Sequence, residues 1–139
     1  MDLESRLRLI ADAEAVAVFA TSLGGEVIRR AEDPEGLYWL RLVNGDNAFL
    51  ARIEWRIYPD APPSVLFAAE PGGTTGDLRA WPRAAGYRAP GDICKPFTAE
   101  GHALHPEWAG GWRRDGNPFL WVSETIHGDI VRSGWARAA

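Results

Sequence analysis

The residue with the clearest chemical potential in this chain is its single cysteine, Cys94. A thiol attacks carbon only as the thiolate and only where a substrate can reach it, and nearby positive charge stabilises that thiolate. Lys95 follows directly and Arg88 lies shortly before, so both are candidates for this role. A buried, unreactive cysteine that serves as a small apolar side chain is the alternative interpretation.

Two histidines, His102 and His105, follow the cysteine closely enough to act with it. A neutral imidazole can accept the proton that an attacking amine loses, or donate a hydrogen bond to a developing oxyanion. The simpler alternative is that His105 forms part of a turn and packs beside Trp108. Asp92 and Glu100 are weaker candidates for orienting an acceptor amine, because a solvated surface accounts for them equally well.

The same residues allow two further chemistries. Cys94, His102 and His105 form a Cys-x7-His-x2-His pattern of ligand types that zinc accepts, but no fourth ligand is evident and the spacing matches no known zinc finger. We therefore predict no metal and no cofactor, and keep zinc as a minor alternative. A cysteine hydrolase that uses a Cys–His pair is a second alternative, because sequence spacing alone does not give side-chain geometry.

Composition excludes several classes of protein. The 139 residues are 46% hydrophobic, which suits a single domain over residues 1–139 with a core of its own. One cysteine excludes a disulfide framework and any multi-cysteine zinc site. The net charge of −4 and the pI of about 5.3 argue against nucleic-acid binding. All fifteen basic residues except Lys95 are arginines, and a GC-rich genome is the simplest cause.

The chain also carries no sign of membrane insertion or secretion. No apolar run approaches the roughly 18–20 residues that span a bilayer. The first twenty residues mix acids and arginines and contain no continuous apolar core, so they do not resemble a signal peptide. We expect a cytoplasmic protein that does not contact membranes.

The elements that must position these residues begin with a helix. Leu3, Leu7 and Ile10 recur at helical spacing, which predicts a helix over about residues 3–20, ended by Gly24-Gly25. Four strands are predicted next, at residues 26–30, 37–43, 49–57 and 64–68. Short turns join the first three, and residues 49–57 alternate apolar and polar side chains. These features favour an antiparallel meander.

The second half of the chain is less regular. Three prolines within Tyr58–Pro63 predict a rigid, extended crossing. Residues 70–117 are rich in Gly, Pro and Trp, and a loop-rich stretch of this length is often functional. Asn117-Pro118 predicts the start of a last helix, which contains His127 in a structural role. The whole predicts an α+β fold with helices packed on an antiparallel sheet.

This order of elements and two motifs resemble the ubiquitin-conjugating enzyme family. The crossing Tyr58-Pro59-Asp60-Ala61-Pro62-Pro63-Ser64-Val65-Leu66-Phe67 is similar to the family's Tyr-Pro-x-x-Pro-Pro-x-Val-x-Phe. Gly91-Asp92-Ile93-Cys94 is similar to the Gly-x-Ile-Cys around the family's thioester-forming cysteine. The resemblance extends over about residues 1–133.

The resemblance implies a fold, an activity and partners. The fold is the UBC-like one, with an N-terminal helix, a four-stranded meander, a loop-rich active-site region and a C-terminal helix. Cys94 would carry a ubiquitin-like protein as a thioester, received from an activating enzyme, and pass it to a protein target, at an amine or else at a hydroxyl or thiol. Relatives dock the activating enzyme on the first helix, so Arg6 and Arg8 are candidate contacts. Trp108, together with Trp81 and Trp112, is a candidate for covering the cysteine or meeting a partner.

The chain also departs from the usual family pattern. Ala84-Ala85-Gly86 stands where relatives carry His-Pro-Asn, whose asparagine is thought to support the oxyanion. A His-Pro-Glu segment at His105 and tryptophans after the cysteine resemble a divergent branch, similar to bacterial proteins found in operons with an activating-enzyme homologue, a ubiquitin-like protein and a peptidase. Such operons are associated with antiviral defence against phage. The missing asparagine keeps a second interpretation open, namely a catalytically inactive binding or scaffold module.

Overall fold

The main sheet consists of four antiparallel strands that follow one another along the chain. The computed structural model describes all 139 residues and has an α+β architecture. The elements of its first half are α1 (Leu3–Ser22), β1 (Glu26–Ile28), β2 (Leu37–Asn44), β3 (Asn47–Glu54) and β4 (Ser64–Ala68). The strand order β1-β2-β3-β4, with every neighbouring pair antiparallel, confirms the predicted meander.

Strand β3 shows how the sequence pattern forms the sheet and where it ends. Phe49, Ala51 and Ile53 are buried on one face, as their alternation predicts. The ladder stops at Glu54, earlier than the predicted residue 57, and Ile57 is exposed. Trp55 is buried beyond the ladder, and its backbone N–H donates to the Gly36 carbonyl at 2.8 Å.

Helix α1 forms as predicted but buries a different face. Leu3, Leu7 and Ile10, which define the predicted apolar stripe, are all more than half exposed. The buried residues are Leu9, Ala13, Val16 and Ala20. Alanine side chains let a helix approach its neighbours closely, so a face with two small residues can pack where one with larger residues does not.

The last helix, α3 (Pro118–Arg132), begins where the sequence predicts. The Asn117 side chain accepts a hydrogen bond from the Leu120 N–H at 2.9 Å and donates one to the Asp12 carbonyl of α1 at 3.1 Å. One side chain therefore caps α3 and joins it to α1. The fully buried apolar residues of α3 are Phe119, Val122, Ile126 and Ile130.

The core lies between one face of the sheet and the two long helices. The Trp55 ring meets Tyr58 and Phe119 there edge to face, with centroids 4.7 and 5.7 Å away, respectively. A smaller cluster, made of Leu37, Trp39, Leu50 and Ala68, is buried separately from this core.

The loop-rich stretch contains several short elements. They are a 3-10 helix (Leu78–Ala80), β5 (Tyr87–Arg88), β6 (Asp92–Ile93), α2 (Ala99–Leu104) and a second 3-10 helix (Pro106–Gly111). The proline crossing is not extended throughout as predicted, because residues 58–60 form a turn in which the Ala61 N–H donates to the Ile57 carbonyl.

The segment that follows α3 returns to the start of this stretch. The Ala138 N–H donates to the Trp81 carbonyl, and the Arg83 N–H donates to the Ala136 carbonyl, both at 2.9 Å. Residues 81–83 are thereby paired with residues 136–138. None of the helices combines the length and the apolar character needed to cross a membrane.

Candidate active site

Cys94 lies at the end of a short hairpin formed by β5 and β6. Tyr87 pairs with Ile93 and Arg88 with Asp92, and the Cys94 N–H continues the ladder by donating to the Gly86 carbonyl at 2.8 Å. Ile93 is fully buried, whereas Cys94 is partly exposed. The hairpin therefore anchors one residue in the core and leaves the next at the surface, where a second molecule can approach it.

Gly86 is closely packed against the residues that follow the hairpin. Its φ of 82° lies in the left-handed region that glycine adopts most readily. A Cβ at this position would lie 3.0 Å from the Cys94 carbonyl oxygen and 3.1 Å from Lys95 Cδ and Cε. The stem of Lys95 therefore occupies the space into which a side chain at residue 86 would extend.

The ammonium of Lys95 is directed to helix α3. Its Nζ lies 3.8 Å from Oδ1 of Asp129, a carboxylate that is only 5% exposed. Asp129 also accepts hydrogen bonds from the Tyr87 hydroxyl at 2.9 Å and from Arg132 at 2.6 Å. Burial, reinforced by Asp129, raises the pKa of Tyr87 well above its ordinary value, so this hydroxyl remains a donor. The expected partner of Lys95 was the Cys94 thiolate, but the contact that the fold provides is Asp129.

Arg88 is the cation that remains close to the cysteine. It forms a bidentate pair with Asp92, with Nε–Oδ1 at 2.7 Å and Nη2–Oδ2 at 2.6 Å. These hydrogen bonds raise the pKa of Arg88, and a charged Cys94 raises it further by a smaller amount. The carboxylate of Asp92 is occupied by this ion pair, which explains an acid at this position without a role in orienting an acceptor amine.

His102 is held next to the segment that follows Cys94. Helix α2 is capped by Thr98, whose hydroxyl accepts from the Gly101 N–H at 2.9 Å and donates to the Ile93 carbonyl at 2.5 Å. This places His102 Nε2 2.8 Å from the Pro96 carbonyl oxygen. Since a carbonyl only accepts, Nε2 carries the proton, and Nδ1 of the neutral ring keeps a lone pair.

His105 lies at the end of α2 and contacts other residues. Its ring stacks on Trp108 with centroids 4.1 Å apart, and Nδ1 lies 3.2 Å from Glu107 Oε1. The backbone N–H of Glu107 and then His105 lower the pKa of this carboxyl. These contacts match the alternative in which His105 packs beside Trp108 in a turn, and none of them joins His105 to the cysteine segment.

The tryptophans of this region divide into core and surface residues. Trp81 is fully buried against Phe67, so it belongs to the core and is not available to meet a partner. Trp112 is half-buried and donates to the Pro59 carbonyl at 2.8 Å. Trp108 is partly exposed and, with Trp112, meets the His102 ring edge to face.

The two arginines predicted as partner contacts on α1 differ in their surroundings. Arg8 donates to the carbonyls of Arg114 and Gly116, each at 2.9 Å, so it has a structural role within the chain. Arg6 is exposed, with Glu35 3.7 Å away. It borders a groove of about 460 Å³ between α1 and the first two strands.

The zinc alternative has no structural support. No three His, Cys, Asp or Glu side chains converge in a way that would hold a metal ion, and Cys94, His102 and His105 are no exception.

Glu100, a weaker candidate for orienting an acceptor amine, accepts a hydrogen bond from the Val65 N–H of β4 at 3.3 Å.

Asp129 is the residue of this site that sequence reasoning missed. It lies far from Cys94 in sequence, and only the packing of α3 brings it to Lys95. The available signal was an acid on the apolar stripe of α3, three residues after Ile126 and one before Ile130.

No family model, no curated protein and no solved structure matches this chain. What the chain can do chemically therefore has to be inferred from its own side chains, namely the partly exposed thiol of Cys94, the guanidinium of Arg88 and the imidazole of His102. These groups suit the transfer of an acyl group through a thioester.

Proposed function

We propose that the chain is a ubiquitin-conjugating-like transferase that carries a ubiquitin-like protein as a thioester on Cys94. The observation that carries this proposal is the position of the only cysteine, partly exposed directly after the buried Ile93. It is supported by the order of elements, in which a first helix and three strands precede the proline crossing, and the fourth strand lies between that crossing and the cysteine.

Loading would be an exchange between two thioesters. The Cys94 thiolate attacks the carbonyl carbon of the modifier on the activating enzyme, a new C–S bond forms, and the enzyme's thiolate leaves. Arg88, which is paired with Asp92 on the same hairpin, is the candidate for positive charge near the attacking sulfur. ATP is consumed by the activating enzyme, so this step requires no cofactor in the chain.

Discharge would pass the acyl group to an amine of a target. The amine attacks the thioester carbonyl, the C–S bond breaks, and the amine loses a proton. The unprotonated Nδ1 of His102 is a candidate acceptor for that proton, because the hydrogen bond from Nε2 to Pro96 fixes the tautomer. Amines are the expected acceptors, with hydroxyls and thiols as alternatives.

The loading step tests this function directly. The protein is incubated with ATP and with a candidate activating enzyme and ubiquitin-like protein from the same genome. We expect an adduct that reducing agent removes, that Cys94→Ser converts to a more stable ester or abolishes, and that omission of ATP prevents. A reducible adduct that persists in Cys94→Ser would overturn the assignment.

A second candidate is a binding or scaffold module without catalysis. Gly86 favours it, because no side chain at this position is available to support an oxyanion and the space is filled by Lys95. Binding of the ubiquitin-like protein without formation of any adduct, under conditions where the activating enzyme is itself loaded, would favour the module over the transferase.

The setting proposed for this activity is a bacterial cytoplasm. The partners would be a ubiquitin-like protein, its activating enzyme and a protein target, and the biological role would be antiviral defence. This part of the proposal depends on the resemblance in sequence. Adjacent genes for an activating enzyme, a ubiquitin-like protein and a peptidase would support it.

A further inference from the structure

The only lysine of the chain is the residue next to its only cysteine. Any acyl group held on Cys94 as a thioester would therefore have a primary amine on the neighbouring residue. An amine that attacks a thioester forms an amide, which does not return to the thioester. Such a transfer would free the Cys94 thiol but leave the acyl group on Lys95, where it is no longer available to an external acceptor.

The fold provides a specific partner for this amine. Asp129 is buried in α3, where its carboxylate accepts hydrogen bonds from two donors and lies within ion-pair distance of Lys95. Oδ2 accepts from the Tyr87 hydroxyl, while Oδ1 faces both Arg132 at 2.6 Å and Lys95 at 3.8 Å. A buried carboxylate is costly without such partners, so Asp129 has a strong requirement for the cations around it.

The path of the lysine stem is also restricted. The stem passes over Gly86, in contact distance of any Cβ placed there, and the Lys95 side chain is 27% exposed. Both the middle and the end of the side chain are thus in contact with the fold. To attack an acyl group, the ammonium would have to leave Asp129 and lose its proton.

We infer that Asp129 is a positioning residue that withholds the Lys95 amine from an acyl group on Cys94, so that the group remains available to an external acceptor. The inference rests on the proposed function for the nature of the acyl group, a ubiquitin-like protein. In the transfer that Asp129 prevents, a C–N bond forms to Lys95, the C–S bond breaks, and the Cys94 sulfur leaves as a thiolate that takes up the proton released by the amine.

A small thioester tests the inference without the activating enzyme. The protein is treated with the acetyl thioester of mercaptoethanesulfonate, excess reagent is removed, and intact mass is followed with and without hydroxylamine, which removes S-acetyl groups but not amides. In the wild type we expect the acetyl group to remain removable. In Asp129→Asn, which keeps an acceptor for Tyr87, we expect hydroxylamine-resistant acetyl on Lys95 to form at least about tenfold faster.

Three variants control this experiment. Asp129→Asn with Lys95→Arg should form no resistant product at residue 95, and Asp129→Asn with Cys94→Ser reports any direct acetylation of the amine. Tyr87→Phe is the matched control, because it removes another partner of Asp129 and leaves the Lys95 contact in place; it should behave like the wild type. Equal rates of acetyl transfer in the wild type and Asp129→Asn would overturn the inference.

The wild type alone provides a second measurement if Asp129→Asn does not fold. An acylating reagent selective for amines should modify Lys95 at least about tenfold more slowly than the lysine of a peptide with the sequence of residues 92–98. Modification at the peptide's rate would overturn the inference. Neither outcome depends on the ubiquitin-like protein, whereas the failure of the proposed function would be the absence of an ATP-dependent adduct.

Discussion

At the scale of single residues, the two histidines that follow Cys94 differ in what holds their rings. His102 is bound through Nε2 to the backbone that continues from the cysteine, and its Nδ1 keeps a lone pair. His105 is stacked on Trp108 and paired with Glu107. Sequence reasoning favoured His105 as the proton acceptor, and that role is still a prediction. The contacts make His102 the stronger candidate.

This difference predicts unequal effects on discharge. His102→Ala should leave loading of Cys94 within about twofold of the wild type and slow discharge to a free amine by about tenfold or more, because a positioned base contributes roughly 10²–10⁴ to such rates. His105→Ala is the matched variant and should slow discharge less. Single-turnover discharge of the loaded protein, followed from pH 6 to 9, measures both. A larger effect of His105→Ala would return the role to that residue.

The site residues show which features a sequence can predict. Cys94 and His102 were identified because their residue types are rare and carry chemistry wherever they lie. The Lys95–Asp129 contact was not predicted, because a pairing between the hairpin and α3 depends on how the helix packs against the rest of the protein. Trp81 was a candidate for covering the cysteine or meeting a partner because it lies in an irregular stretch, yet irregular backbone can carry core side chains.

At the scale of elements, the β5–β6 hairpin depends on a glycine that cannot be replaced without crowding. The φ of Gly86 is positive, and the Cys94 carbonyl and the Lys95 stem lie against the position of its missing Cβ. Gly86 is therefore matched to the lysine that follows the cysteine. A side chain at residue 86 would crowd the Lys95 stem, which would have to shift to make room for it.

A double-mutant cycle tests this match. Gly86→Asn should destabilise the protein by about 1–3 kcal/mol, from strain and crowding together. In a Lys95→Ala background the penalty should fall by at least about 0.5 kcal/mol, because the stem no longer fills the space. Denaturant unfolding provides the free energies.

The control for backbone strain is Gly45→Asn, since Gly45 has a φ of 60° and nothing near its missing Cβ. Its effect should be independent of Lys95→Ala. Additive effects of Gly86→Asn and Lys95→Ala would show that the two positions do not compete for space.

The elements also divide into predictable and unpredictable features. The order of α1, the four strands and α3 follows from hydrophobic period and from turn and cap residues such as Asn117. The buried face of α1 could not be predicted in this way. The stripe of Leu3, Leu7 and Ile10 carries the larger apolar side chains, whereas the stripe that packs against the rest of the protein contains alanines. Hydrophobic size marks a possible interface, but close packing selects the actual one.

At the scale of the whole molecule, α1, α3 and the segment after α3 meet around His127. The ring lies edge to face with Phe19 of α1 at 5.8 Å and with Trp135 at 6.1 Å between centroids. Its partly buried position matches the structural role that the sequence suggested. Burial lowers the pKa of His127 below its ordinary value of 6.5, because the charged ring would lose solvation among these groups.

The lowered pKa of His127 predicts an acid-sensitive stability. The unfolded chain binds a proton near pH 6.5 and the folded chain only at lower pH, so the free energy of unfolding falls as pH decreases through this interval. His127→Gln cannot be charged and should show a smaller decrease between pH 7.5 and 5.5. Urea unfolding across this range, with the partly exposed His105→Gln as the matched control, measures the difference. Equal pH dependence in His127→Gln and the wild type would contradict the assignment.

The pairing of residues 81–83 with residues 136–138 bears on the order in which the protein matures on the ribosome. The segment that leads into the cysteine hairpin pairs with backbone that follows α3, and Asp129 contacts the hairpin from α3 itself. A nascent chain that has already exposed Cys94 still lacks both supports. The thiol thus leaves the ribosome before its neighbours are in place, and the site around Cys94 can form only after α3 has been synthesised.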